Sequence, residues 1–361
     1  MTAGFFSPMP PARTGVADYA AALLSALRGF GSVRVNERGD VNLYHLGNNQ
    51  LHREIYARAL EEPGVVVLHD AVLQHFFLGS LEQAAYVDEF AYNYGDWSRG
   101  LAEEMWRRRA SSALRSEYFA YPMLRRIAER SRAVVVHNPG AAAMVRRHAP
   151  GARVVEIPLL WRQPVLPSAA EVLRFRQACG IPASAFVFGV LGFLRESKRL
   201  TSILHAFHRM QRCWLMVAGD FISSDLERSI SPLLRRQRVL RLPYLPGARF
   251  WLAALACDVC VNLRSPAAGE TSDITVQMMG AGKPVMLTES LENDPFPRTA
   301  CVRIDGGLRE RDALYEHMVL LTSFAGLPGE IGSYAADYIR HHHGLSQVAA
   351  SYWDILRATQ G

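Results

Sequence analysis

The chain has 361 residues, too long for one ordinary core and suited to two domains of roughly 150–200 residues each. Its 49% hydrophobic, 20% charged and 10% aromatic composition is that of a globular protein and excludes disorder or a fibre. The net charge of +6 is spread along the chain rather than gathered in a run, which suits phosphate-bearing ligands and gives no tract for nucleic acid.

The N-terminus, with Pro8, Pro10, Pro11 and Arg13 behind an apolar pair, lacks the basic and apolar regions of a secretory leader. No apolar run reaches the roughly 18–20 residues of a bilayer span. Five sparse cysteines, an odd number, argue against a disulfide framework. A cytoplasmic protein is therefore expected. Cys257 and Cys260 form a C-x-x-C within a strand-like run and read as core thiols. Only Lys198 and Lys283 among the 40 basic residues are lysines, so these two positions stand out.

Short apolar runs recur at Val41 to Leu46, Val65 to Leu68, Ala133 to His137, Phe186 to Gly192, Trp214 to Ala218, Val239 to Leu242, Val259 to Leu263 and Pro284 to Thr288, with helical patterns between them. That alternation predicts α/β domains with doubly wound parallel sheets, whose ligands bind at the carboxyl ends of the strands. A long helical stretch near 80–132, rich in aromatics and arginine, reads as an insertion in the first domain. The proline-bearing connector from Ile157 to Pro167 places a boundary near residue 165. The expected organisation is a domain of residues 1–165, a second of 166–344, and a terminal helix in 345–361.

Five segments are candidates for chemistry. Pro11 to Tyr19 delivers Gly15 to a helix start predicted to continue over Ala20 to Leu27; backbone amides and the helix dipole there suit an anion, and an ordinary strand-to-helix turn has the same appearance. The dinucleotide fingerprint G-x-G-x-x-G is absent, which disfavours a nicotinamide dehydrogenase. His69 and Asp70 end the buried run from Val65, where a histidine can meet a ligand. His45, Asn48 and Asn49 end another run, and helix capping with loop hydrogen bonding is the better account of them. Arg195, Lys198 and Arg199 cluster where a strand passes into the helix Leu200 to Met210; cations at the positive end of a helix dipole call for an anion. In Asn262 to Asp273, Glu270 can accept sugar hydroxyls, while the amides of Thr271 and Ser272, before a helix over Ile274 to Ala281, suit phosphate.

The order Pro10-Pro11-x-x-Thr14-Gly15-Val16-Ala17-Asp18-Tyr19, Leu68-His69-Asp70, Gly192 with Lys198, Gly269-Glu270-Thr271-Ser272 and Gly280-Ala281-Gly282-Lys283-Pro284-Val285 resembles the retaining glycosyltransferases of family four, over nearly the whole chain. The resemblance implies the GT-B architecture: two Rossmann-like domains facing a cleft, the first for acceptor and the second for a nucleotide-sugar donor, with a final helix, here Leu345 to Leu356, crossing back to the first. It implies transfer of a sugar from a nucleotide-diphosphate sugar to a hydroxyl with retained configuration. His69, Glu270, Lys198 and Arg195 would be catalytic, and Gly15, Lys198, Arg195, Tyr244, Leu245, Glu270, Thr271, Ser272 and Gln277 would bind donor. The family's arginine after the glycine falls on Phe193 here, so Arg195 takes its role. Gln277 stands where the family commonly has a second glutamate.

The acceptor, a saccharide, lipid-linked or small molecule, is expected to meet Arg13, Thr14, His45, Asn48, Asp70 and Trp106; arginines near Trp106 are compatible with peripheral membrane contact, and ordinary helix packing with snorkelling arginines is the favoured reading of that tract. No cofactor is expected. No Asp-x-Asp occurs, so no metal is either, and His341 to His343 read as a surface helix end because consecutive helical residues diverge. A nucleotide-sugar-binding pseudoenzyme or partner subunit, or a GT-B epimerase or phosphorylase, remains the alternative.

Overall fold

The computed structural model describes residues 1–12 and 14–360. The chain divides into two compact units, one of Met1–Arg162, Pro266–Thr271 and His342–Gly361, the other of Gln163–Ser265 and Ser272–His341. The first holds strands β1 (Thr2–Phe6), β2 (Ser32–Val35), β3 (Val41–Leu46), β4 (Val65–Leu68), β5 (Ala133–Val136) and β6 (Val154–Glu156) in the order β2-β1-β3-β4-β5-β6. The second holds β7 (Phe186–Leu191), β8 (Cys213–Ala218), β9 (Val239–Leu242), β10 (Val259–Val261), β11 (Val285–Thr288) and β12 (Val302–Ile304) in the order β12-β11-β10-β7-β8-β9. Every pairing in both sheets is parallel.

Central parallel strands are covered on both faces and therefore read as unbroken apolar runs, which is why β3, β4, β5, β7, β8, β10 and β11 are legible in the sequence; β9, an edge strand that is only partly buried, is legible from its Val-Leu-Arg-Leu run. The strands that were not are mostly edges. β2, β6 and β12 are short and partly exposed, so no apolar run marks them. β1, buried between β2 and β3, has Ala-Gly in its first half, and both residues are poor strand formers.

Local signals fix the helix starts. Thr14 caps the first helix, its Oγ1 accepting from the amide of Val16 at 3.2 Å, so that helix begins at Gly15. Ser168 and Glu171 form a reciprocal capping box before the helix Ala169–Ala178, just beyond the connector. The helices between β4 and β5 belong to the first core: Tyr86, Phe90, Met105 and Tyr118 are buried with Val66 and Val134. The final helix, Leu345–Ala358, lies in the first unit, where Tyr19 donates a hydroxyl hydrogen bond to Tyr352 at 2.9 Å. Among the described residues no helix is long and apolar enough to cross a membrane.

In the second unit, the loops leaving β7 and β8 meet through backbone. Gly192 and Gly219 have φ of +85° and +144°, and the Gly192 amide donates to the Ala218 carbonyl at 3.0 Å. A Cβ on Gly219 would lie 2.1 Å from the Gly192 carbonyl oxygen, so no side chain fits without moving the turn. Gly219→Ala should therefore cost about 1–3 kcal/mol of stability. A denaturation midpoint equal to that of the wild type would show that this approach relaxes freely.

Candidate functional site

Parallel register brings three histidines together at the carboxyl end of the first sheet. Val67 pairs with His45 on one side and Val135 on the other, so His69 and His137, two residues further on, end adjacent strands at one level. His137 Nδ1 lies 2.9 Å from the Ile157 carbonyl and must be the donor there. In a neutral ring its Nε2 then accepts, and it receives His69 Nδ1 at 3.3 Å. By the same reasoning His69 Nε2 accepts from His45 Nδ1 at 3.0 Å. Burial, reinforced by the neighbouring imidazoles, pushes His45 down to about 3 and His69 well below its ordinary range. Burial likewise takes His52 and His137 down to about 4, so the array is neutral. Tyr19 packs on it edge-to-face, its ring centroid 4.9 Å from that of His69.

The Gly-Glu-Thr loop is fastened to these strand ends. The Ala71 amide donates to the Ala268 carbonyl at 2.8 Å, and Asn138 Nδ2 donates to the Gly269 carbonyl and to Thr271 Oγ1 at 3.0 and 2.9 Å. Glu270 Oε2 accepts from the Ala268 amide at 2.7 Å, so the carboxylate braces its own loop. Asn48 donates its amide to Asp70 Oδ2 at 2.9 Å and accepts from the Phe76 amide at 2.8 Å, which makes both side chains part of the loop framework.

A second polar network lies at the carboxyl end of the second sheet. Lys198, only 2% exposed, donates to the Leu191 carbonyl at 2.6 Å and to Asn262 Oδ1 at 3.2 Å. Asn262 Nδ2 in turn donates to Ser272 Oγ at 2.7 Å and Thr275 Oγ1 at 2.8 Å. Ser272 is the N-cap of the helix Asp273–Gly280, yet its side chain accepts from Asn262 instead of from the helix amides. Arg264 also reaches Ser272 Oγ, at 3.3 Å. Arg199 grips the buried carboxylate of Glu310 through both Nε and Nη2, while Arg195 is exposed. Tyr244, partly exposed, lies nearly parallel to Phe193 with ring centroids 6.0 Å apart.

These placements correct several expectations. His69 has both ring nitrogens hydrogen-bonded to other histidines. His45 is fully buried. Trp106 is 8% exposed and packs against Tyr86 in the core, with Arg109 over its ring, rather than rimming an acceptor site. Lys198 points into the fold, and the anion that Arg199 calls for is Glu310. His343 is buried with Nδ1 on the Leu159 carbonyl, not at a surface helix end. Thr14 serves as a helix cap, Leu245 is buried, and Gln277 Nε2 donates to Asp273 Oδ1. A Cβ on Gly15 would meet nothing within 4 Å, so that helix start is open. Arg13 lies outside the described residues. Glu270 and Thr271 group with the first unit, and Ser272, Gln277, Lys198, Arg195, Tyr244 and Leu245 with the second. Sequence reasoning assigned nothing to His137, Asn138, Asn262 or Arg264; their one signal was position at the end of an apolar run. Among the described residues no three His, Cys, Asp or Glu side chains converge to hold a metal ion.

No family model matches the chain, and no curated protein does. Solved structures match it over nearly its full length. Sucrose-phosphate synthase from Thermosynechococcus elongatus is similar at a TM-score of 0.70 and 14% identity, covering 99% of this chain and 98% of that one. Anabaena HepE in complex with UDP-glucose is similar at 0.65 and 14%, covering 99% and 100%. WaaG, a glycosyltransferase involved in lipopolysaccharide biosynthesis, is similar at 0.63 and 16%, covering 99% of each. The chain thus has the α/β GT-B fold of these glycosyltransferases, the architecture expected from its sequence.

The neutral array makes folding acid-sensitive. Unfolded imidazoles titrate near 6.5, while these titrate near 4 or below when folded, so only the unfolded chain takes up their protons between those values. Their contribution is complete above about pH 6.5 and is lost as pH falls toward 4, at up to about 1.4 kcal/mol per pH unit for each imidazole. Urea midpoints at pH 7, 6 and 5 should fall with increasing slope; a flat series would mean the rings accept protons in place.

Proposed function

We propose that the chain is a retaining glycosyltransferase that moves a sugar from a nucleotide-diphosphate sugar to an acceptor hydroxyl. The observation that carries this reading is the carboxyl end of the second sheet. That end carries a helix N-terminus without a side-chain cap, a positive-φ glycine after β7, the exposed Arg195, and the cations Lys198 and Arg264 joined through Asn262 and Ser272. Backbone amides at such a helix start, with guanidinium groups beside them, suit a diphosphate. The solved HepE structures contain UDP-glucose, UDP and glucose, which supports a nucleotide-sugar donor and a saccharide acceptor.

In the proposed reaction the bond from the anomeric carbon to the phosphate oxygen breaks, and the acceptor oxygen bonds to that carbon on the same face. The acceptor proton passes to the departing phosphate oxygen. No side-chain base is drawn from the first unit, which agrees with a His69 whose nitrogens are committed. The protein lowers the barrier by stabilising charge on the leaving diphosphate, through arginine and backbone amides rather than a metal ion. The five cysteines, all free thiols, support a reducing, cytoplasmic setting. A second reading, a subunit that binds the donor without turnover, is favoured by one feature: Lys198 faces a backbone carbonyl rather than solvent.

Thermal denaturation with UDP, GDP, ADP and their sugar conjugates tests the donor site. A ligand at 100 times its dissociation constant should add roughly 2.7 kcal/mol, and Arg195→Gln should lose much of that gain while folding normally. If no nucleotide stabilises the protein, the donor site is wrong; if one does but no sugar is released or transferred, the binding subunit is the better description.

A further inference from the structure

Parallel strands gather their amino ends on the sheet edge opposite the one described above, and β8 and β9 enter there side by side, Leu215 pairing with Val239. The helix Leu200–Phe207 leads into β8 and the helix Ser224–Leu234 into β9, so both connections arrive at that edge. Between them is a pocket of about 440 Å³. Phe207 and Met210, both buried, form its apolar part. Arg235 and Arg236, both exposed, and the half-buried Arg238 line it from the second connection. Among the described residues no carboxylate pairs with any of the three, and their one side-chain hydrogen bond runs from Arg238 Nη2 to the Met210 carbonyl at 3.3 Å.

The two helix ends account for part of this charge. Each C-terminus carries about half a negative charge, so the pair balances about one guanidinium of the three. The remaining positive charge has no partner in the protein, and guanidiniums lining one pocket repel one another until an anion joins them. His208, the C-cap of the first helix, lines the pocket as well. The Leu233 carbonyl is near its ring, but both ring nitrogens are shielded from water without a hydrogen bond of good geometry. Polar atoms buried in that way are costly, and a turn of the ring into the pocket gives one of them a ligand oxygen to bond.

We propose that this pocket binds a small phosphate-bearing molecule, its phosphate among Arg235, Arg236 and Arg238 and its carbon skeleton against Phe207 and Met210. The volume falls within the roughly 300–1,000 Å³ of small-molecule sites. The apolar residues are recessed rather than exposed, which suits neither insertion into a membrane nor stacking on bases. The site is on the opposite sheet edge from the strand ends assigned to the donor and does not depend on that assignment.

Calorimetric titration of the full chain with inorganic phosphate, glucose 6-phosphate and glucose, at constant ionic strength, is the test, beside NMR of the histidine rings with the His208 signal identified by its loss in His208→Gln. The expected result is saturable binding of both phosphates and none of glucose, with a shift of the His208 signal along the same binding curve. Arg235→Gln/Arg236→Gln, at two exposed positions, should weaken both phosphates tenfold or more at an unchanged melting temperature. Arg235→Lys/Arg236→Lys, which keeps the charge but not the fork, should fall between, and decides alone if the glutamine pair does not fold. Tighter binding of glucose 6-phosphate than of inorganic phosphate supports an organic ligand; equal binding overturns the part given to Phe207 and Met210. Binding that leaves His208 unshifted, or that the glutamine pair retains in full, puts the anion elsewhere and overturns the proposal, as does a wild type that binds neither phosphate.

Discussion

In a sheet whose strands all run parallel, every carboxyl end falls on one edge, and the polar groups carried there must find partners on that edge. Both units of this protein are governed by that constraint, and each answers it with a buried side-chain network. In the first, three neutral imidazoles pass hydrogen bonds in one direction to a backbone carbonyl. In the second, one amide does the work of a hub: Asn262 accepts from Lys198 and donates to two hydroxyls at the start of the next helix. Breaking either network would leave a buried polar or charged group without its partner, which costs more than the bond itself contributes.

The two networks differ in what they leave to a ligand. The histidine array is closed, with the tyrosines of the first and last helices packed over it, so its rings shape a surface and hold protons fixed. The Asn262 network runs out to a half-buried guanidinium, that of Arg264. By drawing the Ser272 hydroxyl away from its own helix it leaves the first-turn amides without a side-chain cap, and it sets a guanidinium beside them. Fold stability and anion affinity are thus opposite demands on the same few atoms, a common condition of binding sites.

How much of this was legible in the sequence depended on range. Buried parallel strands announce themselves as apolar runs, and the turn residues around Gly192, Gly269 and Gly282 mark where they end, so the fold class and the neighbourhood of the site could be read directly. The N-cap Thr14 and the capping box at Ser168 are likewise local. Aromatics between β4 and β5 were harder, because a tryptophan among arginines looks the same whether its ring faces a ligand or Tyr86.

Sequence by itself determined two parallel α/β units, their strand-end loops and the residue types gathered in those loops. Only the tertiary structure decided which of those residues are spent on the protein. Lys198 and Arg195 are three residues apart and both cationic, but one turns inward to the Leu191 carbonyl and to Asn262, 64 residues away, and the other outward. His69 and His137 become partners because β4 and β5 pair in register across 68 residues. Side-chain partnership is set by distances between strands, and those come from packing that no local pattern records.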